Sequence, residues 1–91
     1  MMRREPASVV SRSGGAGLPS PQQLGRVVRR LRVERETTIE MLAKSSDLHW
    51  TYLSGIERGL RNPTLNVLSA VAEALGIKTS RLLRLAEEET P

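Results

Sequence analysis

Apolar residues recur with helical spacing through most of the chain. Leu24, Val27, Val28 and Leu31 stand at i, i+3, i+4 and i+7, one face of a helix whose opposite face carries Arg26, Arg29 and Arg30. Ile39, Leu42 and Ala43 repeat the spacing over a shorter stretch, and Leu53 and Ile56 share a face with Tyr52 beside it. Leu65, Leu68, Val71, Ala72 and Leu75 form the expected buried stripe of a fourth helix. Leu82, Leu83 and Ala86, with Leu85 further round, mark a fifth and suit either a core or a partner. The pattern therefore predicts an all-α chain of five short helices.

Boundary residues agree with the periodicity. Ser20, Pro21 and Gln23 supply an N-cap, a proline at N1 and a capping box for the first helix, which ends near Arg35. Thr37 and Thr38 both suit the second N-cap, Thr37 because it would form a capping box with Glu40. The second helix runs to about Ser45. The third runs from about Trp50 to Arg58 and stops at Gly59, a glycine of the kind that ends helices in the left-handed conformation. Thr64 caps the fourth, which ends at Gly76, and the fifth starts at Thr79 or Ser80. Glu87, Glu88 and Glu89 oppose the helix dipole, so that end is expected to fray. Between the second and third helices the break Ser45-Ser46-Asp47 is too short for a long-armed hairpin. It implies the crossed pair of a helix-turn-helix, with Asp47 accepting the reversal because Asp tolerates the left-handed region.

Composition narrows the partners. The 91 residues fit one domain, with no Phe, one Trp and one Tyr, so the core must be Leu, Val, Ile and Ala. A net charge of +4 favours a polyanion, and nucleic acid is the commonest. The absence of Cys leaves no disulfide framework or thiolate metal site and fits a cytoplasmic location. No apolar run reaches membrane length, and Met1-Met2-Arg3-Arg4 is not followed by the apolar segment of a secretory signal. One His, no Gly-rich phosphate loop and no carboxylate pair argue against an enzyme, and no cofactor or metal is expected. Residues 1–19, with Pro, Ser, a Gly-Gly-Ala-Gly run, Arg3, Arg4 and Arg12, read as a disordered basic arm that either tracks a phosphate backbone or has no role. Residues 20–88 form the domain.

One stretch is more specific than any of this. Residues 52–59, Tyr-Leu-Ser-Gly-Ile-Glu-Arg-Gly, followed by Arg61-Asn62-Pro63 and preceded by Leu31-Arg32 and Leu42-Ala43, resemble the phage repressor/Cro type of helix-turn-helix protein, the XRE family. The Ala-Leu-Gly-Ile segment ahead of Ser80 matches the family's junction between helices four and five. The resemblance covers about residues 22–85. Leu48 and residues 51–57 look most like the small controller proteins of restriction-modification systems.

The resemblance implies a five-helix repressor-like domain, a homodimer, and double-stranded DNA bound at an inverted-repeat operator by a transcriptional regulator. Arg32 and Glu57 match the family's structural ion pair, which also answers an acid in the last turn of a helix. Trp50, Thr51, Ser54 and Gly55 fall at base-facing positions of the recognition helix, Gly55 offering only a close backbone approach. His49, Tyr52, Arg58, Arg61, Asn62 and Lys44 are phosphate candidates. Alternatives stay open for three of these: Tyr52 as a ring packed in the core, Arg58 as a helix-end charge, and Ser54 bonded to its own backbone. Ile77, Leu82 and Leu85 are the candidate dimer interface.

Three residues depart from the family pattern. Ile39 stands where a Gln usually bonds phosphate and braces the recognition helix. His49 is a poor N-cap. Trp50 replaces the Arg of controller proteins, so it reads as packed on a thymine methyl, as a protein contact, or as folded back on Met41. These departures leave two further readings. One is an antitoxin that binds DNA and also a toxin, through Trp50 or the N-terminal arm. The other is a protein-interaction module with weakened DNA binding.

Overall fold

A computed structural model describes residues 18–91; the 1–19 arm thus lies, but for Leu18 and Pro19, outside the described residues. These form five helices: α1 (Pro21–Glu34), α2 (Ile39–Ser45), α3 (Trp50–Glu57), α4 (Leu65–Ala74) and α5 (Thr79–Glu88). α1 lies against α3 and α5, α2 against α3 and α4, and α4 against α5. The core that joins them is aliphatic: Leu24, Val27, Val28 and Leu31 from α1, Leu42 and Ala43 from α2, Leu53 and Ile56 from α3, then Leu68, Val71, Ala72, Leu75, Leu82 and Ala86. Each of these residues removes apolar surface from water, and burying a whole Leu or Val side chain is worth roughly 1.5–3 kcal/mol.

The expected caps form. At α1 the Gln23 N–H donates to Ser20 Oγ at 3.1 Å while the Ser20 N–H donates to Gln23 Oε1 at 2.8 Å, a complete capping box. Thr38, not Thr37, caps α2, accepting from the Met41 N–H at 3.0 Å. Thr37 is unavailable because it closes the end of α1: its N–H donates to the Arg32 carbonyl at 3.2 Å. Four successive helices end alike, the residue after the C-cap taking a left-handed φ and two N–H groups closing back on the last turn. Gly59 and Gly76 supply that conformation after α3 and α4, at φ +76° and +78°. After α2 it falls to Asp47, at φ 58°, as the sequence suggested; after α1 it falls to Glu36, at φ 55°, where no local signal announced it. Below Asp47, buried Ser46 donates its hydroxyl to the Leu42 carbonyl at 2.8 Å. The short break therefore has a fixed shape.

Several expectations change. Leu65 does not join the buried stripe; as the first residue of α4 it sits on the end turn and is 66% exposed. Leu82 is fully buried in the core, so its side chain is spent within the monomer and is not an interface residue. The end of α5 is tied down rather than left to fray. Arg30 meets Glu89 at 2.6 Å and Arg26 meets it at 3.3 Å, Arg26 also reaches the Thr90 carbonyl, and the Gln23 amide donates to the Glu89 carbonyl at 2.7 Å. The Arg30 hydrogen bond, with the two guanidinium charges behind it, holds the Glu89 carboxyl below the usual carboxylate range.

The tightest packing is backbone on backbone. Gly25 of α1 lies directly over the end of α3, where an added Cβ would stand 2.6 Å from the Glu57 carbonyl oxygen and closer still to that of Ile56. Neither helix backbone can yield cheaply, so Gly25→Ala should lower stability by about 2 kcal/mol or more. Chemical denaturation of the two proteins checks this; an unchanged midpoint would mean that the helices have room to part.

Candidate nucleic-acid interface

α3 is fixed from one side and bare on the other. Leu53 and Ile56 enter the core, while His49, Trp50 and Thr51 at its start are exposed, Trp50 by 50%. At its far end Glu57 is buried, and Arg32 of α1 grips it with two bonds, Nε to Oε2 at 2.7 Å and Nη2 to Oε1 at 3.1 Å. Arg32 spends its remaining arm on the Thr37 carbonyl at 2.9 Å, so one guanidinium joins α1, the α1–α2 turn and α3. The planar fork of Arg suits this double contact; the point charge of Lys does not.

The start of α3 is built differently from the sequence expectation. His49 does cap the helix: its Nδ1 accepts from the Thr51 N–H at 3.2 Å and lies 2.7 Å from Thr51 Oγ1. Ser, Thr, Asp and Asn are the common caps, and here a ring nitrogen that reaches two residues ahead does the same work. Trp50 does not bury itself on Met41; half of it is solvent-exposed, Met41 is 57% exposed, and the indole stacks with the His49 ring at 6.1 Å between centroids.

Gly55 is not open to a groove. It is buried under the Arg61 side chain, whose Cγ would stand 3.0 Å from an added Cβ. Arg61 crosses Gly55 and ends with its guanidinium 5.6 Å from the centre of the Tyr52 ring. Tyr52 is half-buried with its ring against the core, and Arg61 covers its outer face, a cation–π contact. Ser54 is half-buried; Lys44, Arg58, Arg61 and Asn62 are exposed. On α5 and before it, Ile77 and Leu85 are half-buried against the core. Ile39 likewise packs against the core from the first turn of α2. Missed from the sequence altogether were Gly25, Glu36, and Arg35, which donates to the Leu75 carbonyl at 2.6 Å and so ties the end of α4 to α1.

Residues 28–82, which contain every one of these side chains except those of the outer ends of α1 and α5, match the helix-turn-helix family HTH_3. The chain belongs to this family. Among its relatives is the control protein C.BamHI of Bacillus amyloliquefaciens, 42% identical over 60 residues that cover 65% of this chain and 74% of that one. The immunity repressor protein of Bacillus phage phi105 is also 42% identical over 60 residues, 66% of this chain but only 42% of the repressor, so this helix-turn-helix chain spans less than half of that relative. The restriction-modification controller protein C.Esp1396I, solved as a tetramer in complex with its natural 35 base-pair operator, superimposes with a TM-score of 0.68 at 31% identity, over 75% of this chain and 90% of that one.

Two substitutions separate support from display. Glu57→Ala leaves the Arg32 guanidinium buried and unpaired and should cost about 3–5 kcal/mol, read as a lower melting temperature; an unaltered melt would make the pair ornamental. Gly55→Ala should displace Arg61 while gaining up to about 1 kcal/mol of helix propensity. Circular dichroism should then show a melt at least as high as the parent's while the Tyr52 fluorescence environment changes. A clear fall in the melting temperature would mean that Arg61 cannot move aside.

Proposed function

We propose that this chain is a sequence-specific DNA-binding transcriptional regulator that acts as a homodimer on an inverted-repeat operator, with α3 in the major groove and residues 20–88 as the binding unit. The observation that carries this reading is the two-sided character of α3. A recognition helix must hold its orientation against the body of the protein while presenting hydrogen-bonding side chains outward. α3 is clamped by Arg32 and Glu57 behind and exposes His49, Trp50 and Thr51 in front. C.BamHI, the phage repressor and operator-bound C.Esp1396I favour the same role.

Contacts divide by chemistry. Trp50, Thr51 and the exposed part of Ser54 face base edges: Thr51 through its hydroxyl or methyl, Trp50 through its indole N–H or by packing on a thymine methyl. Lys44, Arg58, Arg61 and Asn62 form an exposed rim around α3 suited to phosphate oxygens. Arg61 reaches that rim already ordered by Tyr52 and Gly55, which reduces the side-chain entropy lost on binding. Two copies related by a twofold axis would place their α3 helices about 34 Å apart, one turn of DNA. Ile77 and Leu85 remain the candidate contacts between copies, and the cytoplasm is where such a regulator works.

Selection from random duplexes by the purified chain, followed by binding of the winners across salt concentrations, tests this. An enriched palindrome is expected, with affinity that falls steeply as salt rises because phosphate contacts release counterions. Arg61→Ala should reduce that slope by about one phosphate equivalent per subunit, and Thr51→Ala should cost about 1 kcal/mol of binding per half-site, with melting lowered only slightly by the lost Tyr52 and His49 contacts. Failure to enrich any sequence, with weak salt-insensitive binding, would overturn the DNA reading and leave Trp50 as the contact for a protein partner.

A further inference from the structure

The turn into α3 fixes the hydrogen-bonding polarity of Thr51. The Thr51 backbone N–H donates to His49 Nδ1 at 3.2 Å. An amide N–H can only donate, so Nδ1 must present its lone pair and the imidazole proton of the neutral ring must sit on Nε2. Thr51 Oγ1 lies 2.7 Å from the same nitrogen. Facing a lone pair, the hydroxyl can only donate to it. Its one hydrogen is thereby committed, and what it can offer outward is its oxygen lone pairs. The Trp50 ring, inclined 25° to the imidazole, restrains the plane in which that lone pair points.

A threonine hydroxyl that turns freely serves equally as donor or acceptor and reads little. One held as acceptor does discriminate. In the major groove adenine offers the N6 amino group and cytosine the N4 amino group, whereas guanine offers N7 and O6 and thymine O4, all acceptors. We propose that His49 is a specificity-determining positioning residue, which holds Thr51 as an acceptor so that the base opposite must be adenine or cytosine. This rests on the DNA-binding reading above and names the base class that the site takes.

The full chain is tested as four proteins: the parent, Thr51→Val, His49→Ala and His49→Asn. Each is taken through selection on random duplexes, and the position that loses its preference in Thr51→Val marks the base that Thr51 meets. The parent should favour adenine or cytosine there by roughly tenfold over guanine and thymine, the scale of one buried hydrogen bond. His49→Ala should bring that ratio to within about twofold, because the hydroxyl is released to donate or accept. His49→Asn should restore it, since the Asn carbonyl oxygen can take both Thr51 donors. A cap that only stabilised α3 would weaken binding to every base alike and leave the ratio untouched, and that result overturns the proposal. So does a thymine or guanine preference in the parent. Nitrogen-15 spectra of the free protein give a reading independent of DNA: the His49 Nδ1 resonance should be that of an unprotonated ring nitrogen in a neutral ring, and a proton on Nδ1 overturns the proposal whatever the selection yields. A parent that selects no sequence at all sinks the DNA-binding reading itself, and this inference with it.

Discussion

α1 and α3 meet with no side chain between them at Gly25, and seven residues further along α1 the Arg32 fork closes on Glu57. The two features depend on each other. A pair so buried, with 11% and 3% of the Arg32 and Glu57 side chains exposed, is stable only when every donor and acceptor is satisfied at good geometry. The backbone contact at Gly25 sets the depth at which Glu57 arrives. Were α1 held a methyl group further away, the guanidinium would have to stretch or admit water, and the desolvation of both charges would lose its compensation. The orientation of the exposed face of α3 is thus decided on its hidden face.

The periodicity made most of the helices legible, because a 3.6-residue repeat reports which face leaves water. Ser20, Thr38, Thr64, Gly59 and Gly76 made their ends legible, because the orphan groups of a helix terminus call for particular side chains. What periodicity does not report is which backbone comes near which. Gly25 looks in sequence like any glycine inside a helix, a defect of about 1 kcal/mol, until Ile56 and Glu57 are seen above it. Glu36 is opaque for a similar reason: a residue of poor left-handed propensity is held there by the bonds on either side of it. Leu82 and Leu65 illustrate the ambiguity of apolar residues on short helices, where an equal spacing gave one to the core and the other to solvent. At the site itself the resemblance located Arg32, Glu57 and the start of α3, and the structure supplied what a motif omits. Gly55 lies under Arg61, and His49 caps through a ring nitrogen that no cap preference would have put forward.

Charge shows the same limit. The net charge of +4 favoured a polyanionic partner, and Arg26, Arg29 and Arg30 lie on one face of α1. In the folded chain Arg26 and Arg30 are occupied with Glu89, and Arg32 and Arg35 with partners of their own. Of the acidic run that looked unfavourable at the end of α5, Glu89 gains its place by meeting two arginines of α1. Arg58 and Arg61, at and just beyond the end of α3, stay exposed, and since charges are screened over about 10 Å, it is such local cations rather than the total that a phosphate near α3 would meet.

The departures from the family pattern belong together once the structure is considered. Ile39, in the first turn of α2, gives its side chain to the core. At the entry to α3, His49, Trp50 and Thr51 meet through a stack and two hydrogen bonds to one nitrogen. An arginine at Trp50 would have brought a long side chain with its own donors and no plane to restrain the imidazole. With the indole there, the exposed start of α3 is organised about a single ring nitrogen. A regulator in which Thr51 meets a base as proposed would discriminate through the polarity of one hydroxyl more than through the reach of a guanidinium, and the ring nitrogen of His49 would set that polarity.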